Sequence, residues 1–262
     1  MAELLFWPAL LAYGEAAVAY FGETRRPGLP GRLATWGVRI GWLVQTALLA
    51  AQAARAEGFP WATWAGSLNL FVWLVVTAYL IWGCRARFRL LGLVVAPVAA
   101  ILFVVARLGG GTDLGAKSHY SSAFLVLHVG LVLAAFAGFT LAAALAAVYL
   151  FQERRLKRHD AAILRVPAPA LQTLDSLAGK TIAISLPALT LGMLVGLVRL
   201  EAEGGGVDAL MAVTVATWVA YGSYVALRYA QGWRGRRTAY LALAAFALVI
   251  VVRLALPATH FA

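Results

Sequence analysis

The chain has 262 residues, 63% of them hydrophobic, with a formal net charge of +11, nine tryptophans and a single cysteine, Cys84. A soluble domain is about 45–50% apolar, so this chain carries more apolar surface than a water-facing fold can bury. A disordered chain, a disulfide scaffold and an ordinary soluble enzyme are thereby excluded.

A membrane helix needs about 20 residues to cross about 30 Å of hydrocarbon, so eight spans take up roughly 160 residues and leave about 100 for loops and ends. Apolar runs of that length fall near 4–21, 35–55, 61–82, 89–107, 120–151, 180–199, 209–227 and 238–257. Turn chemistry separates them: Glu23 to Gly28, Gly83 to Arg87, Gly109-Gly110-Gly111, Gly204-Gly205-Gly206 and Gly232 to Gly235. The first run lacks a positive n-region and a cleavage site, which predicts a retained span. The expected fold class is all-α: a polytopic membrane protein of about eight transmembrane helices forming one integral membrane domain over 1–262.

Charge placement orients the spans. Loops after the odd-numbered spans, with their flanking helix ends, hold 17 of the 22 cations: Arg25, Arg26, Arg32, Arg39, Arg85, Arg87, Arg89, Arg154, Arg155, Lys157, Arg158, Arg165, Lys180, Arg228, Arg234, Arg236 and Arg237. Loops after the even-numbered spans hold only Arg55, Arg107, Lys117 and Arg199, and Arg253 lies inside the last span. The positive-inside rule then puts the odd loops in the cytoplasm and both termini outside. The basic charge thus reads as a topology signal rather than a nucleic-acid surface. The segment from Glu153 to Arg165 is also expected to attract anionic headgroups. Trp7, Trp36, Trp61, Trp64, Trp82 and Trp233 lie near span ends, where an amphipathic ring is at home. The alanine-rich fifth span and Gly192-x-x-x-Gly196 in the sixth predict close helix packing.

Polar groups inside the spans are the functional candidates. Glu15 sits well inside the first span, either as a carboxyl kept neutral or bonded to a neighbouring helix, or as a proton or ligand group of a transporter. Gln45, Gln52 and Asn69 are expected to hydrogen-bond between helices. His159 falls in a basic loop, whereas His119 and His128 straddle the start of the fifth span and His260 follows the eighth. Imidazole near that face ligates metal or haem iron, or senses pH. Nine residues separate His119 from His128, about 900° on a continuous helix, so the two point to opposite sides. A bis-histidine site therefore joins His128, or His119, to His260. Arg253 precedes His260 by seven residues, about 10 Å on one face of an unbroken helix, which suits a propionate partner, although Pro257 interrupts that geometry. HExxH, CxxCH, P-loop, GxSxG and dinucleotide glycine patterns are all absent from the sequence.

Several segments together resemble the cytochrome c assembly family of haem-handling membrane proteins, which includes CcsA- and ResC-type synthase components and shorter HemX and YpjD relatives. They are Gly58-Phe59-Pro60 leading to Ser67-Leu68-Asn69-Leu70-Phe71-Val72-Trp73; Leu127-His128-Val129; Pro169-Ala170-Leu171-Gln172-Thr173-Leu174-Asp175; and Asp208 with Thr217-Trp218-Val219-Ala220-Tyr221. Gly232-Trp233-Arg234-Gly235-Arg236 and His260 complete the set, and the likeness is strongest over 57–262.

The resemblance implies haem binding and delivery for c-type cytochrome biogenesis on the outer face of a bacterial inner membrane. His128 matches the first of the family's outward histidines and His260 is the candidate for the second, as ligands of the iron of a b-type haem. Arg253 or Arg199 is expected near the propionates, Asp208 is kept from the family's outer segment, and His119 is the alternative to His128. The implied partners are haem and other cytochrome c biogenesis membrane proteins, with no catalytic residues on this chain. Where synthases carry a tryptophan-rich signature between the sixth and seventh spans, this chain keeps only Asp208 behind Glu201-Ala202-Glu203-Gly204-Gly205-Gly206-Val207. The synthases' in-membrane histidine falls on Ala226. Both departures point to the short HemX and YpjD branch, or to a haem-free scaffold or regulator that kept the fold.

Overall fold

The computed structural model describes residues 2–25, 28–56, 59–61, 63–83, 88–113, 122–159, 169–203 and 209–255. Among them the chain is all-α, with eight helices: α1 Ala2–Arg25, α2 Leu29–Ala53, α3 Trp64–Gly83, α4 Arg89–Leu108, α5 Ser122–Lys157, α6 Leu171–Glu203, α7 Ala209–Ala230 and α8 Arg236–Ala255. The shortest has 20 residues, about 30 Å of rise, so each is long enough to cross a bilayer core. By length and composition together, five of the described helices qualify as membrane spans: α1, α3, α4, α5 and α6. The protein is a polytopic membrane protein. Helix α2, which carries Arg32, Arg39, Gln45 and Gln52, lies outside that group.

Two helices run past the apolar segments that announce them. Helix α5 continues to Lys157 because Glu153, Arg154, Arg155 and Lys157 are good helix formers, Lys157 Nζ meets Glu153 Oε1 one turn back (2.6 Å), and the cations face the negative end of the helix dipole. Helix α6 begins at Leu171, about two turns before the sixth apolar run, since its Asp175 finds partners on other helices.

The chain divides into two compact units, 1–119 with 152–170, and 120–151 with 171–262. In the first, α1 lays Phe6, Ala9, Tyr13, Ala16 and Tyr20 into the core against α2 and α4. Tyr13 lies flat against α2 where Gly41 offers no side chain: a Cβ there would stand 2.7 Å from the ring. The turn into α2 is held by buried Glu23, whose Oε2 accepts the Gly28 and Gly31 amides at 2.8 Å each. A carboxylate there satisfies orphan N–H groups and meets the positive end of the α2 dipole.

Polar side chains join the helices of this unit, as expected for Gln45, Gln52 and Asn69. Tyr13 donates to Gln45 Oε1 (2.7 Å), and Gln45 Nε2 donates to Asn69 Oδ1 (2.9 Å). Asn69 Nδ2 and Gln52 Nε2 both reach the Gly111 carbonyl, at 3.1 and 3.2 Å, and Trp61 donates to Gln52 Oε1 (3.2 Å). Four segments are thus tied through amides that are 0–1% exposed. Beside them Trp42 and Trp73 stack at 5.9 Å, and each indole N–H reaches a threonine on the other's helix, Thr77 and Thr46.

Candidate functional site

The second unit is built on an alanine-rich helix. Ala135, Ala142 and Ala146 of α5 pack with Phe139 against Ile182 and Leu189 of α6, Tyr221 and Tyr224 of α7 and Ala242 of α8. Small side chains let backbones approach where lipid supplies no hydrophobic drive for association. Helices α5 and α6 run antiparallel: His128 meets Gly196, Val132 meets Gly192, and Gly138 meets Ser185.

At the His128 end, the imidazole is half-buried and locked from three directions. Its Nδ1 lies 2.8 Å from the Gly192 carbonyl oxygen. Phe124, one turn back on α5, stacks parallel to it at 5.5 Å with 2° between the planes. Gly196 forms the back wall, where a Cβ would stand 2.6 Å from Cε1. A carbonyl oxygen only accepts, so in the neutral ring Nδ1 carries the proton and Nε2 keeps the lone pair. Histidine ligands of metals and haem iron are commonly fixed in this way, by a backbone carbonyl on the other ring nitrogen. The contact to Gly192 thus selects the tautomer in which Nε2 is the basic nitrogen.

Nearby on α6, Thr190 Oγ1 accepts the Trp218 indole N–H of α7 at 2.9 Å, and Trp218 stays 38% exposed. Residues 190 to 196 of α6 thus position both the family-like histidine and the family-like tryptophan. Sequence reading assigned Gly192 and Gly196 to packing alone. At Gly192 that packing is seen, against Val132, while its carbonyl bonds the ring; at Gly196 what packs is the imidazole itself.

The opposite end of this unit, seventeen residues or about 25 Å along α6 from Gly192, holds a different constellation. Asp175 Oδ2 meets Arg228 Nη2 at 2.9 Å, and Oδ1 accepts from Arg228 Nη1 (3.0 Å), the Gly235 amide (3.0 Å) and the Thr238 hydroxyl (2.9 Å). Arg228 also reaches the Asp175 backbone carbonyl (3.1 Å). The ion-paired side chains are only 10% and 11% exposed. Gly235, at φ 72°, turns its N–H toward Asp175 in a conformation that disfavours other residues. Gly179 of α6 leaves room for the Arg228 guanidinium, which occupies the space a Cβ would need. One carboxylate therefore joins the start of α6, the end of α7 and the start of α8. A cavity of about 10 Å³, room for one water, lies beside it between Tyr149, Tyr224 and Thr238. Both oxygens of the carboxylate are bonded within the protein, Oδ1 by three donors and Oδ2 by the Arg228 guanidinium, which reads as a structural clasp. Sequence reading counted Arg228 only as a topology cation and gave Asp175 no partner.

Of the other expected site residues, His119, Asp208 and His260 lie outside the described residues, as do the side chains of Arg199 and Arg253. Ala226 is exposed on α7. Glu15 is exposed on α1 and makes no hydrogen bond or ion pair among the described residues, so the expected bond to a neighbouring helix of this chain is not seen. His159, at φ 51°, follows the end of α5 and is exposed. No group of three or more His, Cys, Asp or Glu suited to a metal ion occurs among the described residues.

Comparison with known proteins bears directly on this architecture. Residues 61–257, from Trp61 through α3 to the end of α8, match the family described as cytochrome C assembly protein. The chain belongs to that family. It is similar to proteins named cytochrome c biogenesis protein CcsA: 26% identical to that of Picosynechococcus sp. over 95% of this chain and 90% of the relative. It is 26% identical to that of Gloeothece citriformis over 84% and 82%, and 24% identical to that of Nostoc punctiforme over 88% of each. No solved structure matches it. His128, Asp175, Trp218, Arg228 and Gly235 all fall within the stretch matched to the cytochrome c assembly family, whereas α1 and α2 precede it.

Proposed function

We propose that this protein is a haem-handling component of c-type cytochrome biogenesis, a holder and presenter of haem rather than a catalyst. The observation that carries this reading is the Gly192 carbonyl on His128 Nδ1 (2.8 Å), which keeps Nε2 as the coordinating nitrogen. Phe124 and Gly196 fix the plane of the ring, so the lone pair has one direction and little rotational freedom to lose on binding. His260 is the proposed second axial ligand of a b-type haem, with His119 as the alternative to His128, and Arg253 or Arg199 with Asp208 at the propionate edge. Haem supplies the iron and the porphyrin to be attached; this chain binds and orients them, and thioether formation belongs to a larger complex.

Eight spans are read from the apolar runs, both termini are placed outside by the distribution of the cations, and the family resemblance implies a bacterial inner membrane. That orientation sets His128 toward the outer face, where c-type cytochromes mature. The Arg154, Arg155, Lys157 and Arg158 end of α5 then meets anionic headgroups on the cytoplasmic side. Arg237 over Trp233 (5.7 Å) and Arg236 over Tyr240 (5.4 Å) supply interfacial anchoring at the start of α8. Within the family, Ala226 and the glycine-rich segment before Asp208 favour the short HemX and YpjD branch.

Titrating haem into the purified, detergent-solubilised protein tests the reading. A Soret band of bis-histidine character is expected, lost in His128→Ala and weakened in His260→Ala. Ala226 favours a second reading, a scaffold that kept the fold without haem. A featureless spectrum together with a stable complex with another biogenesis protein decides for the scaffold.

A further inference from the structure

Helix α1 has two faces of opposite character. Phe6, Ala9, Tyr13, Ala16 and Tyr20 are at most 2% exposed, whereas Leu4, Trp7, Leu11 and Val18 are 62–74% exposed. Glu15 belongs to the second face. It lies eleven residues from Leu4 and nine from Thr24 within the span Leu4–Thr24, about 14–16 Å from either end and so near the middle of the hydrocarbon. The carboxylate leans toward α2 over Gly37, where a Cβ would stand 3.0 Å from Oε2. Among the described residues it has no hydrogen-bond donor.

Ionisable side chains at mid-membrane almost always face a bundle interior or a water-filled cavity, paired with another group. Within the first unit, and among the described residues, Glu15 faces neither, since Leu11 and Val18, one turn to each side, are exposed apolar residues. We propose that the Leu4, Trp7, Leu11, Glu15, Val18 face of α1 docks a transmembrane helix of a different membrane protein, one that presents a basic side chain at mid-membrane depth to the Glu15 carboxylate. Charge complementarity selects that occupant. A second copy meeting this face through a two-fold axis sets Glu15 against Glu15 and offers it no basic group. The face also lies on α1, ahead of residues 61–257 that match the family. The proposal does not rest on haem binding, and its readout is independent of any spectrum.

The test is photo-crosslinking in native membranes, with p-benzoylphenylalanine replacing Leu11 or Val18 in the full chain. The expected product joins this chain to one integral membrane protein, through a transmembrane helix that carries Lys, Arg or His. Glu15→Leu and Glu15→Gln each lower the yield at least tenfold, and Glu15→Lys combined with a basic-to-Glu change in the partner helix restores it. Because Glu15 is exposed, Glu15→Gln leaves the melting temperature of the purified chain unchanged, which separates lost docking from lost folding. Crosslinks only to lipid, to a second copy or within this chain overturn the proposal, as does a yield indifferent to Glu15.

Discussion

The imidazole of His128 lies against Gly196 so closely that a Cβ on that glycine would fall 2.6 Å from Cε1. Position 196 therefore sets the ring's place as firmly as the Gly192 carbonyl sets its tautomer. Gly196→Ala is expected to push the ring off the carbonyl and weaken haem binding about 10–100-fold, the usual effect of losing an outer-shell partner. Haem titration by absorbance measures it, with helix content by circular dichroism unchanged.

Removing one side of the Asp175–Arg228 pair leaves the other charge almost buried and unmatched. Asp175→Ala is expected to destabilise the second unit by about 3–5 kcal/mol, and Arg228→Ala similarly. The double change Asp175→Leu with Arg228→Met recovers much of the loss, because neither charge remains. Thermal unfolding in a fixed detergent compares the three variants.

Gly179 tests the same clasp without touching a charge. Gly179→Ala puts a methyl group into the guanidinium's place and is expected to lower stability by about 1–3 kcal/mol through overpacking. Gly222, with nothing within 4 Å of a Cβ, is the control, and Gly222→Ala is expected to leave the melting temperature nearly unchanged.

In the first unit, Asn69 bonds to Gln45 and reaches the Gly111 carbonyl. Asn69→Leu breaks both contacts and leaves Gln45 Nε2 with only the backbone carbonyl of residue 69 (3.1 Å). Interhelical hydrogen bonds in membranes are worth about 0.6 kcal/mol on average and up to about 1.7 each, so a loss of about 1–3 kcal/mol is expected on unfolding in detergent.

Glu23→Ala removes the acceptor of two amides at the start of α2. A loss of about 1–2 kcal/mol is expected, with faster amide hydrogen exchange at Gly28 and Gly31 than in the wild type.

Much of this fold was legible in composition and periodicity, because a bilayer imposes its demands one segment at a time. A helix that crosses hydrocarbon must satisfy its backbone internally and be apolar for about 20 residues, and both requirements are local. That is why eight helices, the punctuation at Gly83 and Gly109, and the interhelical roles of Gln45, Gln52 and Asn69 could be read from residues in order. Helix ends that depend on tertiary partners could not. Leu171 to Gly179 is helical because Asp175 meets Arg228, fifty-three residues away.

The sequence by itself determined that this protein lives in a membrane, how many helices it forms and that His128 is chemically capable of ligation. Only the tertiary structure decided that His128 is held in one tautomer, that Gly192 and Gly196 are what hold it, that Asp175 joins the ends of three helices, and that Glu15 has no partner among the described residues. The physical reason is one of range. Hydropathy and helix length are properties of consecutive residues, whereas the direction of a lone pair, the partners of a carboxylate and the exposure of a charge depend on which distant backbone arrives beside it.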